Sequence, residues 1–172
     1  MEQDFSEFRP VRVWKRLSPE QRLAVAGPFW DDEQSAEQQA EAIAAIALHM
    51  KFRTKSVLGL PPEKRVKYLS TLPTISDSIV ARAMVAYHLE KQRPMMSAFL
   101  DKLGIAHEDG LIAEETLPTP DPDKLRTAAT ELAAEYPAED VSLYFATLVA
   151  QDPETWGGLA EHCQPLAGAR PI

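Results

Sequence analysis

Proline placement constrains this chain more than any other feature. Six of its 14 prolines, Pro19, Pro62, Pro94, Pro122, Pro137 and Pro153, stand at or just before the start of an apolar-periodic segment. Proline has no N–H and a fixed φ, so it suits the first turn of a helix, where that N–H would have no partner, and disrupts a helix interior or central strand. Each of the six therefore marks a helix start, and the chain reads as a succession of short helices.

In "LSPEQRLAVAG", Ser18 is placed as an N-cap, with Pro19 at the first helical position and Gln21 completing a capping box. Gly27 and Pro28 are expected to stop that helix. A longer one spans about 34 to 53, where Ile43, Ile46, Ala47 and Met50 form one buried stripe. Asp31, Asp32, Glu33 and Glu37 crowd its start and Lys51, Arg53 and Lys55 its end, as the helix macrodipole favours. After Pro61-Pro62, "EKRVKYLSTL" points Val66, Leu69 and Leu72 inward and Lys64, Arg65 and Lys67 outward, and Pro73 ends it.

Thr74 or Ser76 caps the next helix, 77 to about 91. Ile79, Val80, Ala83, Met84 and Tyr87 make it apolar around most of its circumference, so it is expected to be buried. "RPMMSAFLDKLGI" is a short helix with Met96, Phe99, Leu100 and Leu103 on one face, closed by Gly104 with Ile105 over Leu100. Further on, Leu125/Ala128/Ala129/Leu132, Val141/Tyr144/Phe145/Leu148 and Trp156/Leu159/Ala160/Cys163 make three more stripes. Asp121 and Asp152 are placed to cap the first and third.

The expected fold is an all-α helical bundle of about eight short helices. The proline spacing also admits two weakly repeated three-helix units, 62–103 and 122–163. The expected organisation is an N-terminal arm (1–17), a main helical domain (18–113), a proline-rich connector (114–124) and a C-terminal helical subunit (125–172) packed on the main domain. The longest apolar run, "AIAAIAL", is far shorter than the roughly 20 residues of a membrane span. "MEQDFSEF" lacks the cationic and apolar segments of a signal peptide and the single Cys163 permits no internal disulfide, so the expected location is cytoplasmic.

Catalytic and cofactor motifs are sparse. The residues three before His49, His88, His107 and His162 are Ile46, Val85, Gly104 and Leu159, so no Glu-x-x-His pair for a di-iron site exists. A metal reading would join His88, Glu90, His107, Glu108 and Asp109 across a helical hairpin, at a spacing no zinc motif predicts. The alternative reading makes His88 a core-edge residue and "HEDG" a polar turn. No nucleophile elbow, P-loop or dinucleotide fingerprint can be written with seven glycines placed as these are. Cys163 sits on an apolar stripe, where a thiol acts as a small hydrophobe. Asp31-Asp32-Glu33, Glu114-Glu115 and Glu139-Asp140 read as capping or solvated carboxylates. No cofactor and no metal is expected, and the enzyme reading ranks third.

Charge is the feature that packing explains least. Five basic residues stand against nine acidic over 1–50, ten against four over 51–102, and three against thirteen over 103–172, giving −4, +6 and −10 within a total of −8. The basic middle is carried by Lys51/Arg53/Lys55, Lys64/Arg65/Lys67 and Lys91/Arg93. The N-terminal arm "DFSEFRPVRVWKRL" adds Phe5, Phe8 and Trp14. It is expected to be extended, either folded back on the bundle or docked on another subunit. Grooves lined by Met95, Met96 and Phe99 would suit an apolar peptide, although the same residues fill cores.

The function expected from these features is a non-catalytic interaction, assembly or regulatory module that binds another protein. Its candidate contacts are Lys51, Arg53, Lys55, Lys64, Arg65, Lys67, Phe5, Phe8 and Trp14. The runner-up is a regulatory nucleic-acid binder using the basic 51–102 segment. No membrane partner is expected, and a homo-oligomer is compatible with the sequence.

Overall fold

A computed structural model describes residues 5–113 and 119–163. In chain order it contains a 3₁₀ turn (Ser6–Phe8), α1 (Pro10–Arg16), α2 (Pro19–Phe29), a second 3₁₀ turn (Glu33–Ser35), α3 (Ala36–Met50), α4 (Thr54–Leu58), α5 (Pro62–Ser70), α6 (Asp77–Lys91) and α7 (Arg93–Leu103). A hairpin of β1 (His107–Glu108) and β2 (Leu111–Ile112) precedes α8 (Pro122–Glu135), α9 (Ala138–Gln151), α10 (Pro153–Trp156) and a 3₁₀ stretch, Gly157–His162. The fold is an all-α helical bundle, with ten α-helices among the described residues and almost no strand. No helix among them is long and apolar enough to cross a membrane.

Local capping chemistry sets most of the boundaries. Ser18 Oγ accepts from Gln21 N at 3.1 Å and Gln21 Oε1 accepts from Ser18 N at 2.9 Å, the reciprocal pair of a capping box. Asp121 and Asp152 cap α8 and α10 by accepting from Lys124 N and Thr155 N. Ser76 Oγ accepts from Ile79 N at the start of α6. Prolines 19, 62, 94, 122 and 153 lie in the first turn of their helices, and Pro137 is the N-cap of α9. At the end of α7 the Ile105 N–H donates to the Leu100 carbonyl at 3.0 Å past Gly104.

The chain divides into two compact units, Leu17–Tyr87 and Met1–Arg16 with His88–Ile172, the division falling within α6. In the first unit α2 packs on α5 and α3 on α4 and α5, around Phe29, Ile46, Val57 and Leu69, each fully buried. Two polar devices fasten it. The Gln39 side-chain amide donates to the carbonyls of Phe29, Trp30 and Asp32, satisfying the end of α2. Asp32 Oδ2 accepts from Arg82 at 2.9 Å and from the buried Ser35 hydroxyl at 2.5 Å, tying the turn before α3 to α6. No residue from 79 to 89 is exposed and six of these eleven are buried, so the middle of α6 is enclosed as its composition implies, while Ser78, Glu90 and Lys91 near its ends are exposed.

In the second unit α7 packs on α8, and α9 on α10 and the final 3₁₀ stretch. Every residue from Val141 to Val149 is buried, where the sequence showed only a stripe. Phe99 is the hub, with ring centroids 5.0 Å from Phe145, 5.8 Å from Tyr144 and 6.1 Å from Trp156. Met96, Phe99, Leu100 and Leu103 are buried as expected, and so is Met95, so these side chains form core and do not line a peptide groove.

Several boundaries depart from the sequence reading. The arm is helical at α1, not extended, because Pro10 occupies the first position, and burying Val13 and Trp14 outweighs the small helix penalty of two valines. α2 continues through Gly27 and Pro28 to Phe29; a proline one residue before the end removes only one helical hydrogen bond. α3 begins after a 3₁₀ turn and stops at Met50, because Lys51 takes the left-handed conformation. The polar turn read at "HEDG" is present but belongs to a hairpin: His107 and Glu108 pair in β1, and Asp109 at φ 51° with Gly110 at φ 90° makes the turn. The last helix is α-helical only to Trp156. The connector expected at 114–124 lies partly outside the described residues, as do Glu114 and Glu115.

Candidate functional site

The basic residues named as candidate contacts all fall between the end of α3 and α5, while Lys91 ends α6 and Arg93 begins α7. Lys51, φ 59° and ψ 36°, is the residue on which α3 ends, and its N–H and that of Phe52 both reach the Ala47 carbonyl. Arg53 precedes the first residue of α4, and Lys55 lies within that helix. The Phe52 ring meets the Tyr68 ring edge to face, centroids 6.1 Å apart, which brings this stretch against α5. Lys64 is one turn before Tyr68, on the same side of α5. Lys51, Arg53, Lys55, Lys64 and Lys67 are exposed, and no carboxylate among the described residues forms an ion pair with any of them. The surface also carries Phe52 at 38% exposure and Leu58 at 57%, with Leu48 at 85% on α3.

Arg65 does not share this surface. Its guanidinium carbon lies 5.2 Å from the centroid of the Trp30 ring, a cation–π contact in the α2–α5 packing. The helix that turns Lys64 and Lys67 to solvent turns Arg65 about 100° from Lys64 and about 160° from Lys67, and the sequence did not show that an aromatic face waited there.

The aromatic candidates of the arm lie on α9 and the 3₁₀ stretch that follows α10. A side chain at Gly157 would place its Cβ 2.5 Å from Phe5 Cζ, so the missing side chain is what lets the Phe5 ring sit there. Phe5 and Phe8 are half-buried and Trp14 is 3% exposed. The five exposed cations thus lie on one unit and the three aromatics on the other.

The groups able to do chemistry are engaged in packing. His107 Nε2 lies 2.7 Å from Asp101 Oδ1 of α7, while His107 Nδ1 accepts from Gly110 N at 3.0 Å, so one ring nitrogen ties the hairpin to α7 and the other closes its turn. His88 is buried with its ring 5.6 Å from that of Tyr144. Burial raises the Tyr144 hydroxyl well above its ordinary range. It pushes the Cys163 thiol up to about 12, against a smaller opposite pull from Arg16. Such a thiol stays protonated and un-nucleophilic at neutral pH. Among the described residues no three His, Cys, Asp or Glu side chains are arranged to hold a metal ion.

The acidic C-terminal segment has its own cation. Lys102 reaches Glu135 at 2.7 Å and Glu131 at 3.5 Å, joining α7 to α8. The hydrogen bond with Glu135 raises the Lys102 pKa.

Sequence reasoning passed over Leu48, Phe52 and Leu58. Leu48 was detectable, since it lies off the Ile43/Ile46/Ala47 stripe and therefore faces outward. Phe52 and Leu58 were not, because their exposure depends on the turn at Lys51 and the brevity of α4. No protein-family model, curated protein or solved structure matches the chain.

Proposed function

We propose that this chain is a non-catalytic interaction module that binds another protein through the surface running from Lys51 over α4 to α5. One observation carries the reading: five cations without ion-pair partners among the described residues, interleaved with exposed Phe52 and Leu58, on a chain of net charge −8. Phe52 and Leu58 give the same stretch exposed apolar side chains for a partner to cover. Cations steer an acidic partner and fix its register, while apolar anchors supply the contact energy. The partner is accordingly an acidic protein surface with apolar side chains of its own, met in the cytoplasm.

Nucleic acid is the second reading, favoured by the same cations. A phosphate backbone extends beyond the patch, however, and there meets an acidic molecule that repels it. The engaged ring nitrogens of His107 and the protonated thiol of Cys163 argue against an enzyme.

The test is cross-linking and affinity capture from the native host, with Arg53→Glu and Lys64→Glu as controls and a parallel salt titration on random duplex DNA. The expected result is an acidic partner lost in both variants and no salt-sensitive duplex binding. Duplex binding that weakens with a log–log slope near −0.9 per neutralised phosphate, and is lost in both variants, overturns the protein reading in favour of nucleic acid.

A further inference from the structure

The outward face of α3 is patterned in a way that packing within the chain does not require. Its inward face is set by Ala42, Ile43, Ile46 and Ala47, all buried. On the opposite face Glu37, Ala40, Ala44 and Leu48 are all exposed, and spacings of three and four place them along one side of the helix; the exposed Lys51, on which the helix ends in the left-handed conformation, follows them at its C-terminal end. Three properties of this row matter together. It carries an acid at one end and a base at the other. Small residues fill its middle. Its one large apolar side chain, Leu48, is the most exposed large hydrophobic side chain among the described residues, at 85%.

The row is also symmetric about Ala44. Ala40 and Leu48 stand four residues to either side, Glu37 and Lys51 seven to either side. If a second α3 is laid antiparallel against the first with a twofold axis through Ala44, each Leu48 falls over the partner's Ala40 and each Lys51 beside the partner's Glu37. The same two contacts then occur twice, which is what an isologous interface demands. Alanines at positions 40 and 44 allow the close approach of two helix axes, near the 8 Å lower limit for packed helices. Antiparallel packing also places each helix's positive end beside the other's negative end.

We infer that this face binds a second copy of this chain, α3 against α3 in antiparallel register, making the protein a twofold-symmetric dimer. Charge complementarity selects that occupant. Neither Glu37 nor Lys51 forms an ion pair among the described residues, so both are available to a partner. Glu41, on the flank of the same face, already accepts from Ser76 and Ser78 and is held within its own chain. A helix of 15 residues spans about 22 Å, and one helix pair of that length buries less than the roughly 1,000 Å² typical of strong interfaces. The dimer is therefore concentration-dependent. The inference goes beyond the α4–α5 docking reading and shares with it Lys51 and the neighbouring Leu48.

The first measurement is the mass by sedimentation equilibrium over a wide concentration range, expected to rise from one chain to two. Leu48→Asp and Lys51→Glu should each hold the protein at one chain without altering its circular dichroism, since both side chains are exposed. Glu37→Lys should do the same, and Glu37→Lys with Lys51→Glu should restore the dimer, because the exchanged charges still meet across the axis. Under mild oxidation Ala44→Cys should link two chains efficiently. His49→Cys, on the same helix but far around it from Ala44, should not, and the natural Cys163 is buried. A mass of one chain at every concentration overturns the proposal. So does a double charge exchange that fails to restore association, or equal cross-linking from positions 44 and 49. Lys64→Glu and Lys67→Glu should leave the dimer intact, so loss of the α4–α5 docking function and loss of the dimer are separately visible.

Discussion

Asp32 shows how a single side chain can organise a turn. Burial opposes its ionisation. Hydrogen bonds from the Ser35 hydroxyl, the Gln34 N–H and the Arg82 guanidinium, with the guanidinium's charge, outweigh that and lower its pKa. A carboxyl with a folded pKa below its unfolded value of about 3.9 adds stability above that value and loses it as the pH falls through the folded pKa. Asp32→Asn should therefore lower the denaturant midpoint at neutral pH and flatten its decline below pH 4; an unchanged acid limb would show that other carboxyls control it. Phe99 tests packing at the same scale. Fully buried among Phe145, Tyr144 and Trp156, it should cost about 3–5 kcal/mol when cut to alanine, as urea unfolding would measure. The burial of Phe99 could be read from a four-residue spacing. The Asp32–Arg82 pair could not, because its partners lie fifty residues apart and neither belongs to an apolar pattern.

Helix ends in this chain are legible wherever their chemistry is local. Ser18 with Gln21, Asp121 with Lys124 N and Asp152 with Thr155 N each act over three residues, so the sequence alone places them, and the bounds of α6 follow from composition. Ends set by distant contacts were misplaced. α3 stops three to four residues after its last buried side chains, Ile46 and Ala47, and nothing in "HMKF" announces a turn. The sequence of α1 reads as an extended arm because the α9 residues on which it packs are far along the chain. Lys51 is the clearest case, since a lysine at φ 59° occupies a conformation that glycine adopts without the roughly 1–2 kcal/mol penalty of a Cβ. Lys51→Gly should relieve that strain, offset in part by the greater freedom of glycine in the unfolded chain. The expected net gain is about 0.5 kcal/mol in equilibrium unfolding, with weaker self-association. A loss of stability would mean that the Lys51 side chain contributes contacts beyond its charge.

Across the whole molecule, charge is divided as unevenly as structure. Residues 17–87 hold eight basic and eight acidic side chains, and the remainder hold ten against eighteen, so the entire net charge of −8 belongs to the unit containing α7 to α10. The balanced unit is polar along α3, acidic at its start and basic at its end. In the other, residues 1–16 and 88–102 are slightly basic and the acidity is concentrated in 103–172, where Lys102 of the preceding helix bridges Glu131 and Glu135. Two effects of added salt oppose each other there. Screening weakens the Lys102 contacts, but exposed ion pairs contribute little to stability. Screening also relieves repulsion among eight uncompensated negative charges, a long-range term that falls away within a Debye length of about 10 Å at 0.1 M. The second effect is the larger because it sums over many pairs. Raising sodium chloride from near zero to about 0.15 M should therefore raise the thermal midpoint. In hydrogen exchange the gain should appear in the amides of α8 and α9 more than in those of α2 and α5. A midpoint that falls with salt would instead make the Lys102 bridge, and not self-repulsion, the controlling charge interaction in the acidic unit.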